Sequence, residues 1–140
     1  MKEDGTQPRV VVGIDGSPGS KKALRWACDY VDAVGGALDL VGVWTQKVTY
    51  GLPPMTMTYD PRPAHLAQLE EARSGVLLAP ERLATEVVQG AAGPALVRRA
   101  RDADLLVVGA RGLGGITGML MGSVSTYCVH HATVPVVVVR

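Results

Sequence analysis

Phenylalanine is absent from the 140 residues, aromatics make up only 4%, and neither sign of charge dominates, since 14 Lys and Arg face 13 Asp and Glu. The resulting net charge of +1 offers no basic surface for nucleic acid and no acidic tail for a basic partner. Long apolar runs are missing too: the longest fall well short of the ~18 residues that a membrane-spanning helix needs. Neither nucleic acid nor membrane is therefore expected as a partner. Only two cysteines occur, Cys28 and Cys128, with no C-x-x-C spacing and no zinc-like cluster. Both lie among apolar residues at helical positions, which predicts buried thiols in a reducing cytoplasm.

What is present is a core of Val, Leu, Ala and Ile within 47% apolar residues, enough to fill one domain over 1–140. Such a core suits parallel strands buried on both faces. Met1 to Pro8 is polar, without an apolar leader pattern, and is expected to fray.

Arg9 to Ile14 (RVVVGI) reads as the first buried strand, ending on Asp15-Gly16-Ser17-Pro18. Ser17 as N-cap and Pro18 at the first helical position predict a helix start, and Ala23, Leu24, Ala27, Tyr30, Val31 and Val34 recur at helical spacing. Gly35-Gly36 stops that helix, and Leu38 to Trp44 is the second strand of a right-handed βαβ unit. Residues 45–62, with three prolines and neither period, form a long loop after a strand's C-terminal end, where a lid or a poorly ordered excursion are both open readings. Pro63 to Leu83 has helical composition weakened by Gly75 and Pro80. Thr85 to Gln89 is a third strand, Gly93-Pro94 opens a third helix, and Leu105 to Val108 and Val134 to Val139 supply the last two strands. Strands alternating with helices imply a parallel sheet covered on both faces.

The stretch 104–125 (DLLVVGARGLGGITGMLMGSVS) holds the chemistry. A buried strand ends on Gly109, further glycines follow at 112, 114, 115, 118 and 122, and a helix begins near Ser123. Glycines let backbone amides approach an anion, and a helix N-terminus adds partial positive charge, so the arrangement favours phosphate. Ser123, at the helix start, can cap the helix or donate its hydroxyl to a phosphate oxygen. Two common phosphate motifs are nevertheless missing. No glycine precedes a Lys-Ser or Lys-Thr pair, and a dinucleotide fingerprint counted from Gly112 and Gly114 fails at Thr117.

Gly109, Gly112, Gly122 and Ser123 spell G-x2-G-x9-G-S. With DADLLVVGARGLGG before it, HATVPVVVVR after it and VVVGIDGSPGSKKALRWA near the start, the chain resembles the ATP-binding branch of the universal stress protein family. The resemblance implies an open five-stranded parallel sheet in order 3-2-1-4-5, with strands 1 and 4 side by side at the switch point where ligands bind. It further implies that Gly109 and Gly112 contact ribose and phosphates, while Gly122, Ser123, Val124 and Ser125 hold the phosphates from the helix start. Gly13 and Ile14 would line the adenine pocket, and Val43 would offer its backbone to the base. Asp15 would accept from a ribose hydroxyl or reach Mg2+, and its local alternative is an Asx turn. Arg111 can pair with phosphate or stay solvated, and Met119 to Met121 can cover the ligand or pack on the core.

No catalytic set is visible. DGSPG at 15–19 is not a G-x-S-x-G elbow, because its first position is Asp15, and His65, His130 and His131 have no metal spacing. The implied function is an ATP- and Mg2+-binding sensor or regulator in a stress response, cytoplasmic, non-enzymatic or a very slow ATPase. Resemblance also implies a homodimer through the C-terminal strand and a protein partner that the residues do not name. A nucleotide hydrolase or transferase of similar fold, a cyclic-AMP binder and a nucleotide-free interaction module remain as alternatives.

Overall fold

A computed structural model describes residues 3–45, 60–111 and 121–140. Strand β1 (Arg9–Gly13) leads into helix α1 (Pro18–Val34) and strand β2 (Ala37–Trp44). Then come α2 (Arg62–Ser74), a 3-10 turn at Pro80–Arg82, β3 (Leu83–Gln89) and α3 (Ala92–Arg99). A second 3-10 turn at Ala100–Asp102 precedes β4 (Leu105–Gly109), α4 (Ser123–His131) and β5 (Val136–Val139). The strands form one parallel sheet in the order β3-β2-β1-β4-β5, as the resemblance implied.

Local chemistry explains most element ends. The Ser17 side chain accepts from the Ser20 amide at 3.1 Å, which caps α1 at its expected start. At the other end Gly35 takes a left-handed conformation, and Arg82 donates to the carbonyls of Gly36 (2.8 Å) and Val31 (2.9 Å). The helix expected over 63–83 stops at Ser74 because Gly75 follows, and the freed chain enters β3 at Leu83, two residues before the expected Thr85. The last strand begins at Val136 rather than Val134, since Pro135 has no amide to give the ladder, although its carbonyl accepts from Leu106 at 3.0 Å. Most of the expected loop at 45–62 lies outside the described residues.

Alternation along the strands divides the core into two layers. Val10, Val12, Leu38, Leu40, Leu105 and Val107 face α1 and α2, while Val11, Val41, Leu106 and Val108 face α3 and α4. Each such side chain contributes about 1.5–3 kcal/mol on burial. One charge is buried among them. Asp39, only 2% exposed, accepts from Arg9 Nε (2.7 Å) and Nη2 (3.0 Å) and from Arg99 Nη2 (3.0 Å), and Arg99 Nε reaches Glu86. This cluster lies toward the N-terminal ends of β1 and β2.

Both cysteines are free; Cys128 is fully buried and Cys28 partly so. Burial pushes the Cys128 thiol up to about 11. An unfolded thiol ionises near ~8.5, so the fold's preference for the protonated form is fully present below that pH and is lost as pH rises toward 11. Urea midpoints are expected to fall over this window in the wild type and to fall less in Cys128→Ala. Equal slopes in the two proteins would contradict this.

Candidate functional site

The C-terminal ends of β1 and β4 lie side by side at the middle of the sheet, with Val10 opposite Leu105 and Val12 opposite Val107. From there the chain turns toward β2 on one side and β5 on the other, which opens a crevice between the two loops. Three helix N-termini, those of α1, α3 and α4, border it.

The β1 side is closed by its own side chains. Ile14 donates to the Val41 carbonyl at 2.9 Å, continuing the ladder, and Asp15 Oδ1 then accepts from the Ser17 amide at 2.9 Å. This is the Asx turn that the sequence allowed. Ser20 adds its hydroxyl to the Ser17 carbonyl at 3.1 Å, while its amide is taken by the Ser17 side chain and Pro18 has no amide to offer, which leaves Gly19 as the first-turn donor of α1.

The β4 side is built differently. Ala110 donates to Val139 at 2.8 Å and accepts from Gly122 at 2.6 Å, and the buried Ser125 hydroxyl donates to the same Ala110 carbonyl at 2.8 Å. Gly122, not Ser123, occupies the N-cap position, with extended backbone and no side-chain hydrogen bond. Ser123 is therefore the first helical residue, solvent-exposed, and the capping role open to it is not taken. The amides of Ser123, Val124 and Ser125 are first-turn donors with no intrahelical acceptor. The helix thus brings partial positive charge to this edge of the crevice, and no side chain among the described residues caps it.

Two glycines let the sides meet. A Cβ on Gly109 would lie 2.7 Å from the carbonyl carbon and oxygen of Gly19, so the end of β4 abuts the first turn of α1 backbone to backbone. A Cβ on Gly13 would lie 2.9 Å from Leu96, which closes the floor.

Most of the expected residues come together in this cleft. Gly13, Ile14, Val43 and Val124 line its apolar part, and Asp15, Gly109, Arg111, Gly122 and Ser125 line the rest. Ser123 opens α4 but is exposed and does not line the cleft, and Gly112 lies outside the described residues, as does Met119. The Ser125 hydroxyl is committed to Ala110, so what that residue can offer an anion is its amide. Sequence reasoning missed Ser17, Ser20, Val41, Ala92, Leu96 and Val108 as lining residues. A signal for some of them existed: Val41 shares a strand face with Val43, and Ala92 and Leu96 are one helical turn apart after the C-terminal end of β3. The fold also delivers Gln68 of α2 to the rim, where its Nε2 donates to the Asp15 carbonyl at 3.2 Å.

A cation here would have to share its ligands with a bound molecule. Among the described residues no group of three or more His, Cys, Asp or Glu stands together, whereas one carboxylate plus phosphate oxygens is a common magnesium environment. Among the same residues no helix is long and apolar enough to cross a membrane.

Comparison with known proteins agrees with this geometry. A universal stress protein of Mycobacterium tuberculosis is 37% identical over 132 residues, covering 94% of this chain and 45% of the relative. A second from the same organism is 36% identical over 138 residues, covering 96% and 49%. The chain thus spans about half the length of the curated relatives it matches. A universal stress protein crystallised in complex with cAMP superposes with a TM-score of 0.66 at 31% identity, over 95% of this chain and 96% of that one. A universal stress protein from Lactobacillus plantarum shares the fold, with a TM-score of 0.78 at 22% identity over 97% and 100%. The model of the universal stress protein family matches residues 8–140, and the chain belongs to that family.

Proposed function

We propose that this chain binds ATP with Mg2+ in the cleft between β1 and β4 and holds the nucleotide rather than consuming it, as a sensor or regulator that signals to protein partners under stress. The observation that carries this reading is the contrast between the two helix ends. The first turn of α1 has a side-chain cap, Ser17 on the Ser20 amide, and a proline with no amide, whereas α4 has glycine at its N-cap and no side-chain cap, with Gly122, Val124 and Ser125 lining the cleft. Phosphates would rest on those amides with Arg111 beside them. The base would occupy the apolar part between Val43 and Leu96, and Asp15 would serve ribose or cation. Native mass spectrometry of freshly purified protein, followed by titration with ATP, AMP and cAMP with and without Mg2+, tests it. Failure of every adenine nucleotide to bind would overturn the reading.

One observation favours a second reading, cyclic AMP as the ligand, because the relative at 31% identity was crystallised with it. Cyclic AMP carries one phosphate charge and needs no metal, so tighter, Mg2+-independent binding of cAMP would select that reading.

Turnover should be far below the ~10 s⁻¹ typical of enzymes. The cleft offers donors to a bound phosphate, but no described side chain lining it is a Gln, Glu or His that could orient water, and Gln68 at the rim donates its amide to the Asp15 carbonyl. Phosphate release from excess Mg-ATP measures this, with Asp15→Ala as control. Hydrolysis at several per second that Asp15→Ala abolishes without changing ATP affinity would make the protein an enzyme.

Homodimerisation through β5 belongs to the same proposal. This edge strand is half-buried along its whole length and has one open side. The carbonyls of Pro135 and Val139 are taken by the amides of Leu106 in β4 and of Ala110 just after it, so by alternation Val138 directs its N–H outward. Val138→Pro should therefore give a folded monomer by light scattering where the wild type is a dimer, while Val137→Pro should also disturb pairing with β4. A monomeric wild type at micromolar concentration would contradict the proposal.

A further inference from the structure

Gln68 approaches the cleft from outside both signature loops. Its neighbour Leu69 is 1% exposed and packs against β2 beside Gly42, which fixes α2 on the sheet and delivers Gln68 to the β1–α1 turn. There its side-chain amide donates to the Asp15 carbonyl at 3.2 Å, across 53 positions of sequence. The same amide lies over Gly16, whose φ of +78 is one that side chains disfavour and where an added Cβ would strike Gln68. The turn is thus pinned twice: on one side Asp15 Oδ1 holds the Ser17 amide at 2.9 Å, and on the other Gln68 holds the Asp15 carbonyl. Without the second pin the Asp15–Gly16 peptide can rotate, and the carboxylate moves with it.

We infer that Gln68 is a positioning residue for the nucleotide site, holding the Asp15–Gly16 turn so that the Asp15 carboxylate meets ribose or metal. This rests on the reading of the cleft as a nucleotide site. Gln68→Met keeps the side chain's length and removes the donor. In the ligand-free full chain it should speed hydrogen exchange of the Ser17 amide, and it should weaken Mg-ATP about three- to tenfold, the range set by one hydrogen bond. Because Gln68 acts through Asp15, the same substitution in an Asp15→Asn background should change affinity less than about twofold. Wild-type affinity in folded Gln68→Met, or an undiminished loss in the Asp15→Asn background, overturns the assignment and leaves the nucleotide site standing. A wild-type protein that takes up no adenine nucleotide overturns the site itself, and the role of Gln68 with it.

Discussion

Gly122→Asp is expected to abolish ATP binding while leaving the fold as stable as before, or slightly more so. The two effects have one cause. Gly122 holds the N-cap position of α4 with φ −83° and ψ 177°, a conformation any residue can adopt, so substitution introduces no backbone strain. An aspartate there would accept from the first-turn amides, gaining a few tenths of a kcal/mol over glycine as a cap and about 0.3–1 kcal/mol from its charge at the helix N-terminus. It would do so by occupying the seat of the phosphates with a carboxylate of the same sign. Losing two charge-assisted hydrogen bonds, at about 1.5–3 kcal/mol each, already weakens binding by roughly a hundredfold or more. Gly122→Val removes the same space without offering a cap and should lose affinity with no gain in stability. Calorimetric titration with Mg-ATP beside thermal unfolding checks both signs. Retained affinity in a folded Gly122→Asp protein would mean that phosphate does not sit on α4.

The second large effect lies at the other end of the sheet. Arg9→Met with Arg99→Met should destabilise the protein by about 3–5 kcal/mol, because it leaves the Asp39 carboxylate buried without a cation. Asp39→Leu should cost much less. The two arginine side chains are 49% and 28% exposed, against 2% for Asp39, so they can turn to water once the carboxylate is gone. The triple variant, with all three positions apolar, should lie close to the wild type, since replacing a buried ion cluster by apolar groups is often neutral. Urea unfolding of the three variants measures this. Additive losses would show that the cluster contributes by packing and not through its charges.

Asp39 also marks where sequence reading stops. The apolar run Leu38 to Trp44 identified β2 despite the carboxylate within it, because strand patterns tolerate one polar residue. Which cations neutralise it depends on contacts 30 and 60 positions away, and these exist only once the sheet order is set. The cleft divides in the same way. Gly13, Asp15, Gly109 and Gly122 were legible because they lie at the two strand-to-helix junctions that carry the motifs, and a motif is a local pattern. Gln68 and Leu96 reach the cleft from helices whose sequence shows only a core-facing stripe, so nothing local distinguishes a residue on the rim from one beneath it. The difference between Ser123 and Gly122 as cap was a shift of one position, which only the backbone angles decide.

The pairing of β1 with β4 has a consequence for synthesis on the ribosome. As the chain emerges, β2 can pair with β1 early and β3 can join once Leu83 has been made, but the other edge of β1 must wait for a strand that begins 95 positions after Val10, at Leu105. At ~5–20 residues per second that wait is about 5–20 s. Throughout it, Val10, Val11 and Val12 form an uncovered apolar edge, the kind of template on which nascent chains pair with one another. A strand whose three valines end fully buried is thus the one that stays uncovered on one edge until most of the sheet has been made.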